Sequence, residues 1–205
     1  MQKSILIASI LLLSGLLAWL LFAWQPVGEQ TLKHEGTAQT ESPQGGDFTL
    51  QSDQGPVSLA DFRGRVVMLY FGYTWCPDIC PTNLSMFSRV LSELSAAELA
   101  QVQPLFVSVD PRRDTPARLR EYTTYFHEKL IGITGTPEAV ARTAALYGVA
   151  YRAVNPDTEV NYAVDHSADT YLIDRQGKLV QRMPHGTSAE VMLAAIRSIL
   201  SGKTQ

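Results

Sequence analysis

From about residue 47 onward, short apolar runs alternate with amphipathic helical stretches. Arg65 to Gly72 is almost continuously apolar, as expected of a strand that is buried on both faces. Val102 to Val109 has the same character and predicts a second central strand. Between these runs, apolar residues recur at helical spacing from Leu84 to Leu94. The pattern predicts an α/β domain with one central sheet flanked by helices.

Shorter apolar segments predict the outer strands of this domain. Phe48 to Leu50 and Val57 to Leu59 are typical of an opening hairpin. Val149 to Val154 has the pattern of a further strand. Ala168 to Asp174 and Leu179 to Met183 flank a turn-forming segment and predict a closing hairpin.

Three Thr residues mark helix starts. Thr115 and Thr136 each precede a proline, which favours a threonine N-cap with proline at the first helical position. Thr187 to Glu190 matches a capping box and predicts the start of a last helix over Ser188 to Leu200.

The first 46 residues differ from this domain. Ile5 to Trp24 is a stretch of 20 residues without a charged side chain, and as a helix it would span ~30 Å, one bilayer core. The stretch is longer than the apolar part of a signal peptide and ends in a poor cleavage site, which favours an uncleaved anchor over residues 1–24. Residues 25–46 have the composition of a tether, and residues 47–205 are expected to form the folded domain.

The one charged side chain in residues 1–24 predicts the orientation of the anchor. Lys3 is expected to stay in the cytoplasm, so the domain would lie outside. In a bacterium the chain would then be a single-pass inner-membrane protein with its domain in the periplasm.

Composition narrows the classes of function. The chain has 205 residues, of which 45% are hydrophobic and 18% charged, and this composition is typical of globular proteins. Its net charge of -3 argues against a basic surface for nucleic acids. Its two cysteines are Cys76 and Cys80. A bridge closing so short a loop constrains the unfolded chain little, so a chemical role is favoured over a structural disulfide.

The cysteines follow the first central strand, at the edge where α/β folds place reactive groups. Pro81 cannot continue a helix begun at Cys76, so we expect the regular helix to begin near Pro81. Both sulfurs then lie at or just before a helix N-terminus, which favours thiolates. Cys76 and Cys80 could form a disulfide with each other or bind one metal ion together, and their spacing is compatible with both roles.

A metal held by two cysteines needs a third ligand. His166 is the best candidate, in the polar segment Asn161 to Ser167 with Asp165 and Asp169 nearby. The residues alone leave open whether it is a ligand or an ordinary surface group. The other histidines are expected in the tether or at the surface: His34, His127 and His185.

Four segments together resemble one known family. They are FGYTWCPDICPTNL at 71–84, VSVDPRRDTP at 107–116, LIGITGTPE at 130–138 and YAVDHSADTYLID at 162–174. In their order and spacing they are similar to the Sco/SenC family, and the resemblance covers about residues 47–200.

The resemblance implies a thioredoxin-like fold that binds one copper ion, Cu(I) or Cu(II), through Cys76, Cys80 and His166. It implies a role in assembling the binuclear copper centre of cytochrome c oxidase. Expected partners are the copper-centre subunit, a copper donor chaperone and a thioredoxin-like reductant. Asp165 and Asp169 would support the site or dock a partner. Many members have histidine where this chain has Trp75, which removes a possible polar group and affects partner contact.

Other thiol functions are the alternatives. A thiol-disulfide oxidoreductase would use Cys76 as nucleophile and Cys80 as resolving thiol, although CxxxC replaces the usual CxxC and His166 stands where a cis-proline is expected. A peroxiredoxin is disfavoured because its PxxxTxxC signature is absent, with Leu69 and Tyr73 at the key positions. The sequence is also compatible with a redox sensor, and it does not decide whether the protein is an enzyme.

Overall fold

The computed structural model describes residues 12–20, 43–154 and 162–202. Residues 12–20 form an exposed helix, α1. Among the described residues, none of the helices has the length and apolar character needed to cross a bilayer. Much of the span Ile5 to Trp24 and most of the tether at 25–46 lie outside the described residues.

Nine strands and five further helices follow in the described part of the chain. The strands are β1 (Thr49–Ser52), β2 (Gly55–Ser58), β3 (Val66–Gly72), β4 (Val102–Ser108), β5 (Ile131–Ile133), β6 (Tyr151–Val154), β7 (Ala163–His166), β8 (Thr170–Ile173) and β9 (Leu179–Met183). The helices are α2 (Ile79–Ser92), α3 (Ala96–Leu99), α4 (Pro116–Phe126), α5 (Pro137–Leu146) and α6 (Ala189–Leu200), with one 3-10 turn at Leu59–Phe62.

The central sheet has the order β5-β4-β3-β8-β9. β3 pairs in parallel with β4, and β4 with β5, whereas β8 is antiparallel to both β3 and β9. Every residue of β3 and β4 is buried, because helices cover the sheet and leave these two strands no solvent-facing side. The predicted α/β class, the two central strands and both hairpins are confirmed.

The direction of these strands brings three segments to one edge of the sheet. β3 and β4 are parallel, so the segments that follow Gly72 and Ser108 emerge at the same edge. β8 runs the opposite way and begins there, with Thr170 opposite Tyr70. The cysteine segment, the loop at 109–115 and the residues before Thr170 therefore lie side by side.

The helix starts agree with prediction at two of three threonines. Thr115 and Thr136 accept hydrogen bonds from the backbone N–H groups of Arg118 and Ala139, each with proline at the start of the helix. The prediction of a capping box with Thr187 as N-cap is wrong, because Ser188 is the N-cap of α6. The Thr187 hydroxyl instead donates to the Pro184 carbonyl at 2.7 Å, which closes the preceding turn.

Two other expectations need correction. The helix after the cysteines begins at Ile79, two residues before Pro81, because a proline in the first helical turn gives up an N–H that has no helical partner anyway. The polar segment before β8 contains strand β7, which pairs antiparallel with β6 to form a two-stranded ribbon. In its register Tyr151 lies opposite His166.

One buried carboxylate joins the loops that follow β3 and β4. Asp114 has no exposed surface and accepts hydrogen bonds from the Thr74 backbone N–H at 2.9 Å and the Thr74 hydroxyl at 2.6 Å. The Ser108 hydroxyl also donates to it at 2.6 Å. Burial raises the pKa of Asp114, and these three donors oppose that rise. Thr74, two residues before Cys76, is thereby fixed to the end of β4.

Asp114→Ala is expected to lower the free energy of unfolding by ~3 kcal/mol, because it leaves buried donors on Thr74 and Ser108 without an acceptor. Urea denaturation followed by circular dichroism measures the change. Asp165→Ala is the matched control, since Asp165 is exposed and its loss should cost less than ~0.5 kcal/mol. Equal effects of the two substitutions would contradict this role for Asp114.

Candidate metal centre

The two cysteines lie in the turn that connects β3 to α2. The Cys76 N–H donates to the Tyr73 carbonyl at 3.3 Å, which starts the turn. Cys80 is the second residue of α2, and its N–H donates to the Cys76 sulfur at 3.4 Å. Cys76 is half-buried and Cys80 is fully buried, and both are free thiols. One sulfur is therefore open to a partner and the other lies beneath it.

Gly72 makes room for the inner thiol. A Cβ at this position would lie 2.6 Å from the Cys80 sulfur and 2.9 Å from the Phe106 ring. Such contacts are closer than side chains tolerate, and both neighbours are fully buried. The last residue of β3 is therefore glycine for reasons of space.

His166 reaches the cysteines from β7. Its Nδ1 lies 2.9 Å from the Ser167 carbonyl oxygen, which can only accept, so Nδ1 carries the proton. The lone pair of a neutral ring is then on Nε2, which lies 3.4 Å from the Cys80 sulfur. The ring stands edge-on against the rings of Tyr70 and Tyr73, at centroid distances of 6.2 and 5.7 Å.

The structure brings the three proposed ligands together. One ligand atom from each of Cys76, Cys80 and His166 lies within 4.8 Å of the other two, and this is the one such cluster among residues 12–20, 43–154 and 162–202. His127 and His185 lie outside the cluster, as expected, and His34 is outside the described residues.

The two thiols share a proton unequally. The pKa of Cys76 is lowered to about 3, chiefly because the Cys80 thiol donates to it, with burial opposing and backbone N–H groups assisting. The pKa of Cys80 is raised, first by this same hydrogen bond and then by burial. In the reduced, metal-free protein at neutral pH, Cys76 is a thiolate and Cys80 is its thiol donor.

A chain of buried polar groups supports the inner sulfur. The Tyr70 hydroxyl donates to the Cys80 sulfur at 3.8 Å, and the Asn83 amide donates to the Tyr70 oxygen at 3.0 Å. Burial raises the pKa of Tyr70, so its hydroxyl stays a donor. Sequence reasoning missed Tyr70; the available signal was its place two residues before Gly72, on the same face of β3.

The flanking acids and Trp75 lie around the site without joining it. Asp165 forms an exposed ion pair with Arg152 at 3.3 Å, and Asp169, whose side chain is only 14% exposed, forms an ion pair with Arg182. Trp75 is 46% exposed, and the Arg118 guanidinium carbon lies 4.8 Å from its ring centroid. Trp75 therefore offers an apolar surface beside the accessible thiol.

The donor set fits copper. Two thiolates and one imidazole are soft and intermediate ligands that suit Cu(I) and can also hold Cu(II). Cys80 must lose its proton when a metal binds, and the cation then takes the electrostatic place of that proton. The free Nε2 of His166 is ready to bind without losing one.

We expect iodoacetamide to alkylate Cys76 in the reduced, metal-free protein at a rate that barely changes between pH 5 and pH 8, because a thiol with a pKa of about 3 is fully ionised there. An ordinary thiol, with a pKa of about 8.5, would react ~10-fold faster per pH unit in this range. Mass spectrometry of the alkylated peptide measures the rate.

Cys80→Ala is the informative variant for this measurement. It removes the main donor to Cys76, so the pKa of Cys76 rises and pH dependence should appear. Cys76→Ala leaves only the buried Cys80 and should react slowly at each pH. If the alkylation rate of the unsubstituted protein rises with pH as that of an ordinary thiol does, Cys76 is not a thiolate at neutral pH.

Comparisons with known proteins agree with this geometry. The family model SCO1/SenC matches residues 36–201. The chain is 42% identical over 193 residues to the mitochondrial SCO2 homolog of Bos taurus, covering 89% of this chain and 72% of that one.

Two solved structures are similar in fold. Apo Sco1 from Thermus thermophilus has a TM-score of 0.72 and 38% identity, over 77% of this chain and 92% of that one. Arabidopsis thaliana ScoI with copper bound has a TM-score of 0.70 and 34% identity, over 77% and 98%. The chain therefore has a thioredoxin-like α/β fold and belongs to the SCO1/SenC family.

Proposed function

We propose that this protein carries one copper ion on Cys76, Cys80 and His166 and delivers it during assembly of the binuclear copper centre of cytochrome c oxidase. The observation that carries the proposal is the cluster of two sulfurs and one imidazole nitrogen within 4.8 Å. Copper is bound in the solved structure of a family member that is 34% identical to this chain.

The arrangement of the ligands suits a carrier. Cys76 is half-buried and already ionised, whereas Cys80 is fully buried and accepts a hydrogen bond from Tyr70. A partner that offers its own sulfur or nitrogen ligands can approach from the side of Cys76. Copper in this role is the cargo, received from a donor chaperone and passed to the copper-centre subunit of the oxidase.

The proposal includes the membrane. Ile5 to Trp24 would anchor the chain in the bacterial inner membrane, and residues 25–46 would tether residues 47–205 in the periplasm. The support is the uncharged length of the span together with the single Lys3 on its N-terminal side. An anchored carrier meets the copper-centre subunit of a membrane-bound oxidase by diffusion in the same plane.

A second function is favoured by the asymmetry of the two thiols. The Cys76 thiolate can attack a client disulfide, forming a mixed disulfide and releasing one client thiolate, which takes up a proton. Cys80 then loses its proton and attacks the Cys76 sulfur, which releases the second client thiol and leaves a Cys76–Cys80 disulfide. A thioredoxin-like dithiol reductant restores the pair. The same chemistry serves a redox sensor.

His166→Ala separates these two functions. The substitution removes a ligand, so copper affinity should fall by more than the ~10–100-fold that loss of a ligand's hydrogen-bond partner costs. Disulfide exchange should continue, because both thiols remain, whereas Cys76→Ser should abolish both activities. The full chain in detergent is titrated with Cu(II), and the sulfur-to-copper charge-transfer band reports binding.

His127→Ala is the matched control, since His127 lies at the end of α4 and outside the cluster. It should bind copper as the unsubstituted protein does. Failure of the reduced, unsubstituted protein to bind copper would overturn the carrier function. Normal binding by His166→Ala would show that the third ligand is another group.

A further inference from the structure

The ribbon that carries His166 is separate from the central sheet. β6 and β7 form a two-stranded sheet of their own, and His166 is the last residue of β7. A two-stranded ribbon is at best marginally stable by itself. Contacts between the ribbon and the rest of the domain must therefore fix the distance between the His166 ring and the thiols.

Arg113 makes polar contact with the chain at the start of β7. This residue lies in the loop that follows β4, and its Nη1 donates to the Tyr162 carbonyl at 2.8 Å. Its guanidinium carbon also lies 3.6 Å from the centroid of the Tyr162 ring. Tyr162 directly precedes β7, so both contacts act on the start of the strand that ends in His166.

Asp110 closes these contacts into a cluster. The Arg113 Nε donates to one carboxylate oxygen of Asp110, and the Tyr162 hydroxyl donates to the other at 2.6 Å. The side chains of Arg113 and Asp110 are only 10% and 3% exposed. Asp110, Arg113 and Tyr162 form what we call the Arg113 cluster, in which each member contacts the other two.

The Arg113 cluster also touches the cysteine segment. The Arg113 guanidinium carbon lies 5.6 Å from the ring centroid of Tyr73 and 5.7 Å from that of Trp75. Tyr73 in turn stands edge-on against the His166 ring at 5.7 Å. Arg113 thus lies between the ribbon that bears the histidine and the turn that bears the cysteines.

We infer that the Arg113 cluster is a positioning device that holds His166 at binding distance from the thiols and so raises the affinity for copper. A buried ion pair contributes little net stability, but it requires one geometry of its two side chains. The hydrogen bonds and the three aromatic rings around Arg113 restrict that geometry further. The inference rests on the proposed copper function and assigns these three residues a role in it through His166.

Two substitutions weaken the cluster to different degrees. Tyr162→Phe removes one hydroxyl and keeps the ring under Arg113. Arg113→Lys keeps the charge and loses the planar fork that contacts Asp110 and Tyr162 together. Each should weaken Cu(I) binding, the second by ~10-fold, as loss of outer contacts around a metal ligand does. Competition with a chromophoric Cu(I) chelator, using the full chain in detergent, measures the affinity.

The decisive comparison repeats both substitutions in the His166→Ala background. If the cluster acts through His166, neither substitution weakens the remaining Cu(I) binding further. Tyr151→Phe is the matched control, because Tyr151 lies on the same ribbon opposite His166 and its hydroxyl has no hydrogen-bond partner within residues 43–154 and 162–202. It should leave the affinity unchanged.

A second measurement works without copper. In the reduced, metal-free protein, the NMR signals of the His166 ring protons depend on the nearby rings of Tyr70 and Tyr73. Tyr162→Phe and Arg113→Lys should shift these signals. This readout separates failure of the positioning role from failure of the copper function, which would show as no copper binding by the unsubstituted protein.

Either of two results overturns the inference: unchanged His166 signals in Tyr162→Phe, or an equal loss of Cu(I) affinity with and without His166. If Arg113→Lys does not fold, Tyr162→Phe alone decides, because it removes a single oxygen atom.

Discussion

The antiparallel pairing of β8 with β3 determines where the three proposed metal ligands meet. β3 ends at the edge of the sheet from which the cysteine turn emerges, and β8 begins there, with Thr170 opposite Tyr70. His166 lies just before β8, so this pairing brings it to Cys80 across 86 positions of sequence. A register slip of one residue would reverse the faces of β8 and remove the histidine from the thiols. The candidate metal site therefore requires the correct register of the sheet first, and contacts between neighbouring side chains second.

The loop after β4 adds the second constraint, through two buried carboxylates four residues apart. Asp114 accepts three hydrogen bonds from Thr74 and Ser108 and fixes the cysteine segment. Asp110 accepts from Arg113 and Tyr162 and fixes the histidine ribbon. One loop thus holds both halves of the site in place. Because each carboxylate is almost fully buried, its partners can move little without leaving a buried polar group unsatisfied.

Sequence reasoning recovered what is encoded locally. The signals for β3, for β4, for the Thr-Pro helix starts and for the cysteine pair each lie within a few residues of sequence. The last helix was assigned to the wrong cap because Thr187 and Ser188 have equivalent hydroxyls, and the fold decides between them. β7 was missed because Val164 is its only buried residue, too little for a periodic pattern. His166 needed a family resemblance because the residues that define its role are far away in sequence.

The two proposed functions use the same pair of sulfurs and exclude each other at any moment. Copper needs both thiolates, and a Cys76–Cys80 disulfide has none, so reduction must precede loading. The protonation of the reduced pair favours this order. The Cys76 thiolate that takes part in exchange is also the first ligand that an incoming metal ion meets, and metal binding then requires only the loss of the Cys80 proton. Since Cys80 is buried and Cys76 is accessible, both a client disulfide and a copper acceptor must approach by way of Cys76. Under the two proposals, thiol exchange and copper delivery are successive states of one dithiol, and the redox state of the pair decides which partner it can serve.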